Sequence, residues 1–434
     1  MNNFIKHKLP VFAMAGIITA ASLSLASCDD DDDSSSTPVV KYIRSTDPNV
    51  ADSLMERVSM GQTIAIMGSG LGNTNEILFN DQKALVATTF VTDNCIIVSV
   101  PTTSWDVQND SLTIVTRDGQ KTQFHLPVNK ILPKIKSVSL EYPNAGDVIT
   151  ITGAGFFKDG DKLSVELPGV GEVPFTFVSE NELQVTVPDG VVKGAVVVNS
   201  LYGRGKSSFN LKEDEGILFN FDSGLEWQGW HAAKVVSFQD AIDGLCLQMG
   251  DGNSPLEDGT WDDGHFSFEY WAGSWDDPEQ FNQSGQGRAL YNVADFSDFK
   301  DKCIKFEMYI PSSNPWTNLS MQIIFAGTDR VSLSGNGGNS AGANNTFFQD
   351  ETWARAHYNP WKDNGGSFDT KDKWITVSIP FTDFVYGAES NSPANSLSAE
   401  TDFASLTMFV WSGEKSGTSC KPIIYIDNIR VAKY

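Results

Sequence analysis

Gly61-Gln-Thr-Ile-Ala-Ile-Met-Gly-Ser-Gly-Leu-Gly72 decides the fold of the first half of this chain, because the stretch occurs twice. The second copy is Gly146-Asp-Val-Ile-Thr-Ile-Thr-Gly-Ala-Gly-Phe-Phe157. In both, apolar and polar residues alternate, the period of a strand with one buried face. Both strands end in Gly-x-Gly ahead of a bulky residue, where a β-carbon would obstruct a sharp corner. A second pair follows at nearly the same distance: Phe90-Val-Thr-Asp-Asn-Cys-Ile-Ile-Val-Ser-Val-Pro101 and Phe177-Val-Ser-Glu-Asn-Glu-Leu-Gln-Val-Thr-Val-Pro188. The repeat predicts two β-sandwich modules in tandem, residues 39–131 and 132–213, with Pro133 stiffening their junction.

Ahead of the repeat lies a leader. Lys6, His7 and Lys8 give a basic start, Val11 to Ala26 is almost wholly apolar or small, and Leu25-Ala-Ser-Cys28 closes it. A charged start, a short apolar run and small residues at the cut describe a secretory signal over residues 1–27. The apolar run is shorter than the roughly 20 residues a spanning helix needs. Asp29 to Asp33 and then Ser34-Ser-Ser-Thr-Pro38 follow, an acidic, polar linker over residues 28–38.

Behind the repeat the composition changes at Lys212-Glu-Asp-Glu-Gly216, and ten of the 11 tryptophans lie between Trp227 and Trp411. Residues 215–434 read as about a dozen short strands with long loops. Among them are Ile217–Phe221, Ile304–Ile310, Met321–Ala326, Trp374–Phe381, Leu406–Trp411 and Ile423–Val431. Weak helical periodicity and this strand density predict a jelly-roll-like β-sandwich, so the whole chain is all-β.

Charge narrows the function. The chain has 31 Lys+Arg against 55 Asp+Glu, a net charge of −24. That sign repels phosphate backbones, so no nucleic-acid partner is expected, while a neutral polysaccharide is not repelled. Cys95, Cys246, Cys303 and Cys420 show no paired zinc spacing. Cys303 and Cys420 both fall in the C-terminal domain and could meet, but buried free thiols are the plainer reading.

The tryptophans carry the functional signal. An indole laid on the C–H face of a sugar ring buries apolar area, and neighbouring polar side chains bond the hydroxyls. Strand rings such as Trp374 and Trp411 read as core, as do Trp227 and Trp230 near the domain start, though Trp411 ends its strand and could face a cleft. Loop rings read as glycan-binding: Trp271, Trp275, Trp316, Trp353, Tyr358 and Trp361. The Gly335 to Asn345 loop lacks the Lys-Ser/Thr of a phosphate loop. Asp222 and Asp427 offer hard oxygen ligands that would suit a structural Ca²⁺; no other cofactor is expected. Glu226, Glu269, Glu279 and Glu307 are the carboxylates to consider for hydrolysis, with Glu269 and Glu307 in strands. No glycosidase signature surrounds them, and His231, His265 and His357 have no triad or metal spacing, so no enzyme is expected.

Several of these motifs resemble known families. The Gly-x-x-apolar-x-apolar-x-Gly-x-Gly strands and the later Val98-Ser-Val-Pro101 and Val185-Thr-Val-Pro188 resemble the IPT/TIG family, an immunoglobulin-like sandwich. The first copy departs from that pattern at Leu71-Gly72 and around residues 102–110. Leu25-Ala-Ser-Cys28 resembles a lipobox, which implies lipidation of Cys28, and Asp29 to Asp33 resembles the surface-export signal of Bacteroidetes lipoproteins. Trp374-Ile-Thr-Val-Ser-Ile-Pro-Phe381 and Tyr425-Ile-Asp-Asn-Ile-Arg-Val431 are similar to strands of carbohydrate-binding jelly rolls. The complete order resembles surface glycan-binding proteins of polysaccharide-utilisation loci, the xyloglucan-binding B type in particular. That resemblance implies an outer-membrane, cell-surface location through the lipid anchor and a β-linked plant glycan such as xyloglucan, another β-glucan or mannan. It also implies a TonB-dependent transporter, a SusD-like protein and surface glycoside hydrolases as partners. Adhesion to another protein through the tandem modules is the alternative reading.

Overall fold

The computed structural model describes residues 37–50, 53–85, 90–102, 105, 107–158, 162–200, 202–223, 234–270, 272, 288–327, 354–388, 396–411 and 417–434. The leader, Cys28 and its acidic linker lie outside them, as do Trp227, Trp230, Trp271, Trp275, Trp353, Glu226, Glu279, His231 and the 335–345 loop. No described helix is long and apolar enough to cross a membrane. The chain forms two compact units, Met1–Val128 and Asn129–Tyr434.

The first unit is a two-sheet sandwich. One sheet runs Val39–Ser45, Thr63–Ser69, Cys95–Ser99, Phe90–Val91, and the other Gln82–Lys83, Thr74–Phe79, Ser111–Thr116, Lys121–His125. The predicted alternation buries Ile64, Ile66, Ile96 and Val98 from the first sheet and Ile77, Phe79, Leu112 and Ile114 from the second. The second module, within the other unit, repeats the plan with sheets built on Val148–Ala154 and Gly194–Ser200. The repeated glycines have one cause. A β-carbon on Gly68 would lie 2.0 Å from the Val39 carbonyl oxygen, and one on Gly153 would lie 2.0 Å from that of Lys134. At each place the neighbouring strand shifts register and presses its backbone onto the glycine.

Among the described residues ten strands make the C-terminal sandwich: β1 (Ile217–Phe219), β2 (Lys234–Val236), β3 (Cys246–Met249), β4 (Ser267–Tyr270), β5 (Lys302–Tyr309), β6 (Met321–Ala326), β7 (Arg355–Tyr358), β8 (Ile375–Pro380), β9 (Ser405–Val410) and β10 (Ile424–Lys433). One sheet has the order β2-β3-β10-β5-β8, with β1 also pairing β10; the other is β4-β9-β6-β7. All pairings are antiparallel. Their inner faces meet through Phe306, Met308, Ile424 and Ile426 on one side and Phe268, Leu406, Met408 and Phe325 on the other.

The outer face of the first of these sheets is covered by the second module. Tyr309, Trp374, Cys246 and Ile242 belong to the same apolar cluster as the module's Leu140, Ile149, Val185 and Val198. Trp374 is buried as expected, though against the module, with its Nε1–H donating to the Asp240 carbonyl. Backbone bonds cross the junction from Thr376 N–H to the Ser139 carbonyl at 2.9 Å, and the Glu141 N–H donates to Thr376 Oγ1 at 2.7 Å. At its centre Arg430, fully buried, binds Glu141 at 2.7 Å and Glu307 at 2.7 Å, while Lys305 Nζ binds Glu141 at 2.5 Å. The four described cysteines are free; Cys303 Sγ sits beside the Ala432 carbonyl and Cys420 Sγ beside the Thr317 N–H.

Candidate functional site

With one outer face of the sandwich packed on the second module, the outer face of β4-β9-β6-β7 is the other candidate. Its central residues Ser267, Glu269, Gln322, Ile324, Arg355, Thr407 and Phe409 are buried, and among the described residues it reaches solvent at its ends, at Trp261 and Trp411 and at His357 and Tyr386. Alternation sets its residues. Leu406, Met408 and Val410 of β9 point to the core, so Ser405, Thr407 and Phe409 point outward, and Trp411 continues that parity one residue past the strand. Register aligns Ser267, Phe409, Gln322 and His357 in one row across the four strands and Glu269, Thr407, Ile324 and Arg355 in the next.

An aromatic platform sits at one end of this face. Trp411 is half-buried, with its ring nearly parallel to that of buried Phe409 at 6.4 Å and 4°. Trp261, also half-buried, meets Trp411 edge-on at 5.3 Å and Phe409 at 4.9 Å. Its Nε1–H donates to Asp263 Oδ2 at 2.9 Å, which fixes the ring and leaves a carboxylate beside it. The platform is tied from beneath. Gln322, fully buried, donates from Nε2 to the Trp411 carbonyl at 2.7 Å and to the Ala388 carbonyl at 3.1 Å, and accepts from Arg355 Nη1 at 2.8 Å. At the other end of the face stand His357 and Tyr386, rings 6.0 Å apart and perpendicular.

Sequence reasoning placed the rings differently. Trp316 is fully buried in the sandwich core, its indole N–H donating to the Asn318 carbonyl at 2.5 Å. Trp361 is buried too and donates to the Leu319 carbonyl at 2.8 Å. Neither offers a face to a sugar; both are corrections, and the reason is that residues 316–320 and 358–366 fold inward, each indole closing on a loop carbonyl. Tyr358, in β7, packs partly buried against Phe306 and Trp316, and burial pushes its phenol above the ordinary range. Trp271, Trp275 and Trp353 fall outside the described residues; in sequence they adjoin or follow β4 or precede β7, the two edge strands of this face. Residues 273–287, 328–353, 389–395 and 412–416 lie outside them as well. Trp261 and Tyr386 were missed, yet Trp261 stands in a Gly-Thr-Trp-Asp-Asp loop of the kind singled out elsewhere, and strand parity alone turns Trp411 outward.

The two strand glutamates do not form a hydrolytic pair. Glu269 lies on the outer face of β4, whereas Glu307 lies on the outer face of the opposite sheet, fully buried and bound by Arg430. Burial pushes the Glu307 carboxyl up and the Arg430 charge opposes it.

Asp222 and Asp427 are near one another and are joined by Asp243. Asp222 Oδ1 accepts from the Leu245 N–H at 2.6 Å, and a β-carbon at Gly244 would stand 1.9 Å from that oxygen, so a larger residue there would have to displace the Asp222 carboxylate. Asp427 is fully buried and its Oδ2 has no hydrogen-bond partner. Burial raises its carboxyl to about 8, against the Asn428 N–H; the charges of Asp243, Glu307 and Asp222 add to the rise. Burial, then the charge of Asp222, raises Asp243. The orphaned buried oxygen of Asp427 is the feature that would suit a hard cation, but the carboxylate oxygens of Asp222, Asp243 and Asp427 do not all gather within 4.8 Å of one another. By contrast Glu213, Asp214 and Glu215 are already held by Lys193.

Comparison with known proteins places these observations. Residues 211–433 match the family model "Surface glycan-binding protein B xyloglucan binding domain", and residues 53–127 and 133–212 match the IPT/TIG domain. The crystal structure of a surface glycan-binding protein B from Prevotella bryantii superposes with a TM-score of 0.74 at 34% identity, covering 92% of this chain and 99% of that one. An IPT/TIG domain-containing protein of Bacteroides ovatus is 34% identical over 162 residues, 36% of this chain, and the chain spans 33% of that relative's length. A surface glycan-binding protein B from a complex xyloglucan utilisation locus in Bacteroides uniformis shares 16% identity at a TM-score of 0.42, covering 92% of this chain and 99% of that one.

Proposed function

This chain belongs to the surface glycan-binding protein B family, and on that premise we propose that it is a non-catalytic cell-surface lipoprotein, anchored through Cys28, that holds a neutral β-linked polysaccharide. The observation that carries the proposal is the outward Trp261–Trp411 pair on the face of β4-β9-β6-β7, while the opposite face is occupied by the second module. Trp271, Trp275 and Trp353, which lie outside the described residues but close in sequence to β4 and β7, are the further rings this reading assigns to the glycan. A stacked ring contributes about 1–2 kcal/mol, so a few rings give micromolar or weaker affinity, which suits capture and hand-over to a transporter, a SusD-like protein and surface glycoside hydrolases. The family description favours xyloglucan; mixed-linkage glucan and mannan are the alternatives to be compared.

The test is affinity electrophoresis and titration calorimetry of the mature protein against these three polymers. Retardation and heat with at least one are expected, with no reducing ends released on long incubation. Trp411→Ala and Trp261→Ala should each weaken binding about tenfold, the factor for 1.4 kcal/mol, with the folded β signal retained by circular dichroism. Silence with every polymer, or a double variant that binds like the parent, overturns the proposal.

We also propose that Asp222 and Asp427 contribute to a structural Ca²⁺ site, a reading supported by the unpartnered Asp427 oxygen, which would neutralise their repulsion and clamp the segment after β1 to β10. Adding Ca²⁺ to chelator-treated protein should raise the melting temperature, and Asp427→Asn should abolish that rise. An unchanged melting curve refutes the site.

A further inference from the structure

The face just described does not stop at its edge strand. Beyond β7 the sandwich opens, because β7 closes one sheet and β8 the other and the two do not pair. A cleft of about 450 Å³ lies in that opening, within the size range of small-molecule sites. Ala356 and Ile379, both buried, give it an apolar floor with Tyr358. Tyr386, 38% exposed, and Val385 form one wall with the His357 ring beside them, and the exposed Ser378 and Asp383 bring polar atoms to its mouth.

The cleft is rigid before any ligand arrives. The Arg355 N–H donates to the Tyr386 carbonyl at 2.9 Å and the Tyr386 N–H donates back at 3.3 Å, so the Tyr386 segment runs as a short extra strand on β7. His357 Nε2–H donates to the Gly387 carbonyl at 2.9 Å, which fixes that ring perpendicular to Tyr386. The turn carrying Asp383 is pinned by Phe381 and Phe384, both buried against Phe325. A site pre-formed in this way loses little ordering entropy on binding.

Its chemistry selects the ligand. Among the described residues no Lys or Arg lines it, which disfavours anions, and a single carboxylate is too few ligands for a cation. One aromatic wall, an apolar floor, and a carboxylate with a hydroxyl at the mouth match a ring that has an apolar C–H face and a hydroxylated rim. We infer that this edge cleft is a separate subsite that takes one neutral pyranose residue of the glycan, with Tyr386 as its stacking wall and Asp383 and Ser378 as its hydroxyl partners. The inference rests on the glycan-binding reading above, and His357, shared by the face and the cleft, makes the two continuous.

The experiment uses the mature full-length protein and whichever of xyloglucan, mixed-linkage β-glucan or mannan retards it. Tyr386→Ala removes the wall, and Ser378→Trp fills the cleft from an exposed position without removing any wall. Both variants should melt like the parent and bind the polymer about tenfold more weakly by calorimetry, while Asp383→Ala loses part of that affinity. Tyr386→Ala and Ser378→Trp proteins that both bind as tightly as the parent would overturn the subsite and leave the glycan-binding proposal standing. A parent protein that binds none of the three polymers overturns both.

Discussion

Arg430 shows how much one residue can hold. Its guanidinium, with no exposed surface, bonds Glu307 through both terminal nitrogens, Glu141 at 2.7 Å and the Asn428 carbonyl at 2.8 Å, and it stacks 4.8 Å over Tyr142. Removing one partner of a buried ion pair leaves the others charged and desolvated, at a cost of about 3–5 kcal/mol. Arg430→Met is therefore expected to lower stability by that amount in urea denaturation, and a Glu307→Gln/Arg430→Met pair to recover part of the loss. A single variant as stable as the parent would show the cluster to be solvated. None of this was legible from Tyr425-Ile-Asp-Asn-Ile-Arg-Val431, because the partner Glu141 is 289 positions away. The rings were legible only in part for the same reason. Trp316 and Trp361 sit in loops, and composition alone does not tell a loop that projects from one that folds back to close on its own carbonyls. Trp411 was within reach, since the parity of β9 alone turns it away from Leu406, Met408 and Val410.

Among the elements, β10 carries the decisive irregularity. Strict alternation would put Asp427 and Arg430, three positions apart, on opposite faces. Instead the register with β5 shifts: Lys305 opposes Arg430 and Glu307 opposes Asp427, so Asn428 and Ile429 share the place opposite Phe306. Asn428 adopts φ 49°, a left-handed conformation in a bulge. The result keeps Ile424, Ile426, Ile429 and Val431 in the core while Asp427 and Arg430 both face the second module. Asn tolerates that conformation better than residues with a longer or branched side chain, so Asn428→Ala should cost about 1 kcal/mol and Asn428→Gly close to nothing, by thermal melts of the two variants. Equal losses would mean that the side chain, and not the backbone angle, matters. The strands themselves were readable: Met321–Ala326 is observed with the predicted bounds, and the alternating runs that predicted Ile304–Ile310 and Ile423–Val431 became β5 and β10. The bulge was not, because it leaves the pattern of apolar residues looking like an uninterrupted strand.

At the scale of the whole molecule, the second module is part of the C-terminal sandwich's packing and more than a spacer. It covers much of one sheet face, and that coverage is what leaves the other sheet and the β7–β8 edge to a glycan. Cut free at residue 215, the sandwich would expose Tyr309, Trp374, Tyr425 and Ile242 and leave Lys305 and Arg430 without Glu141. Burial of large apolar side chains is worth about 1.5–3 kcal/mol each, and in a domain of this size 1 kcal/mol moves the midpoint by about 2–4 °C. Residues 215–434 should therefore melt at least about 10 °C below residues 129–434, and should bind a hydrophobic dye that the longer fragment ignores. Glu141→Ala in the longer fragment should fall between the two, with hydrogen exchange rising together in Val148–Ala154 and in β5. If the short fragment melts with the long one, or if exchange rises in only one of those strands, the two modules are independent bodies and the face opposite the tryptophans becomes available to a ligand as well.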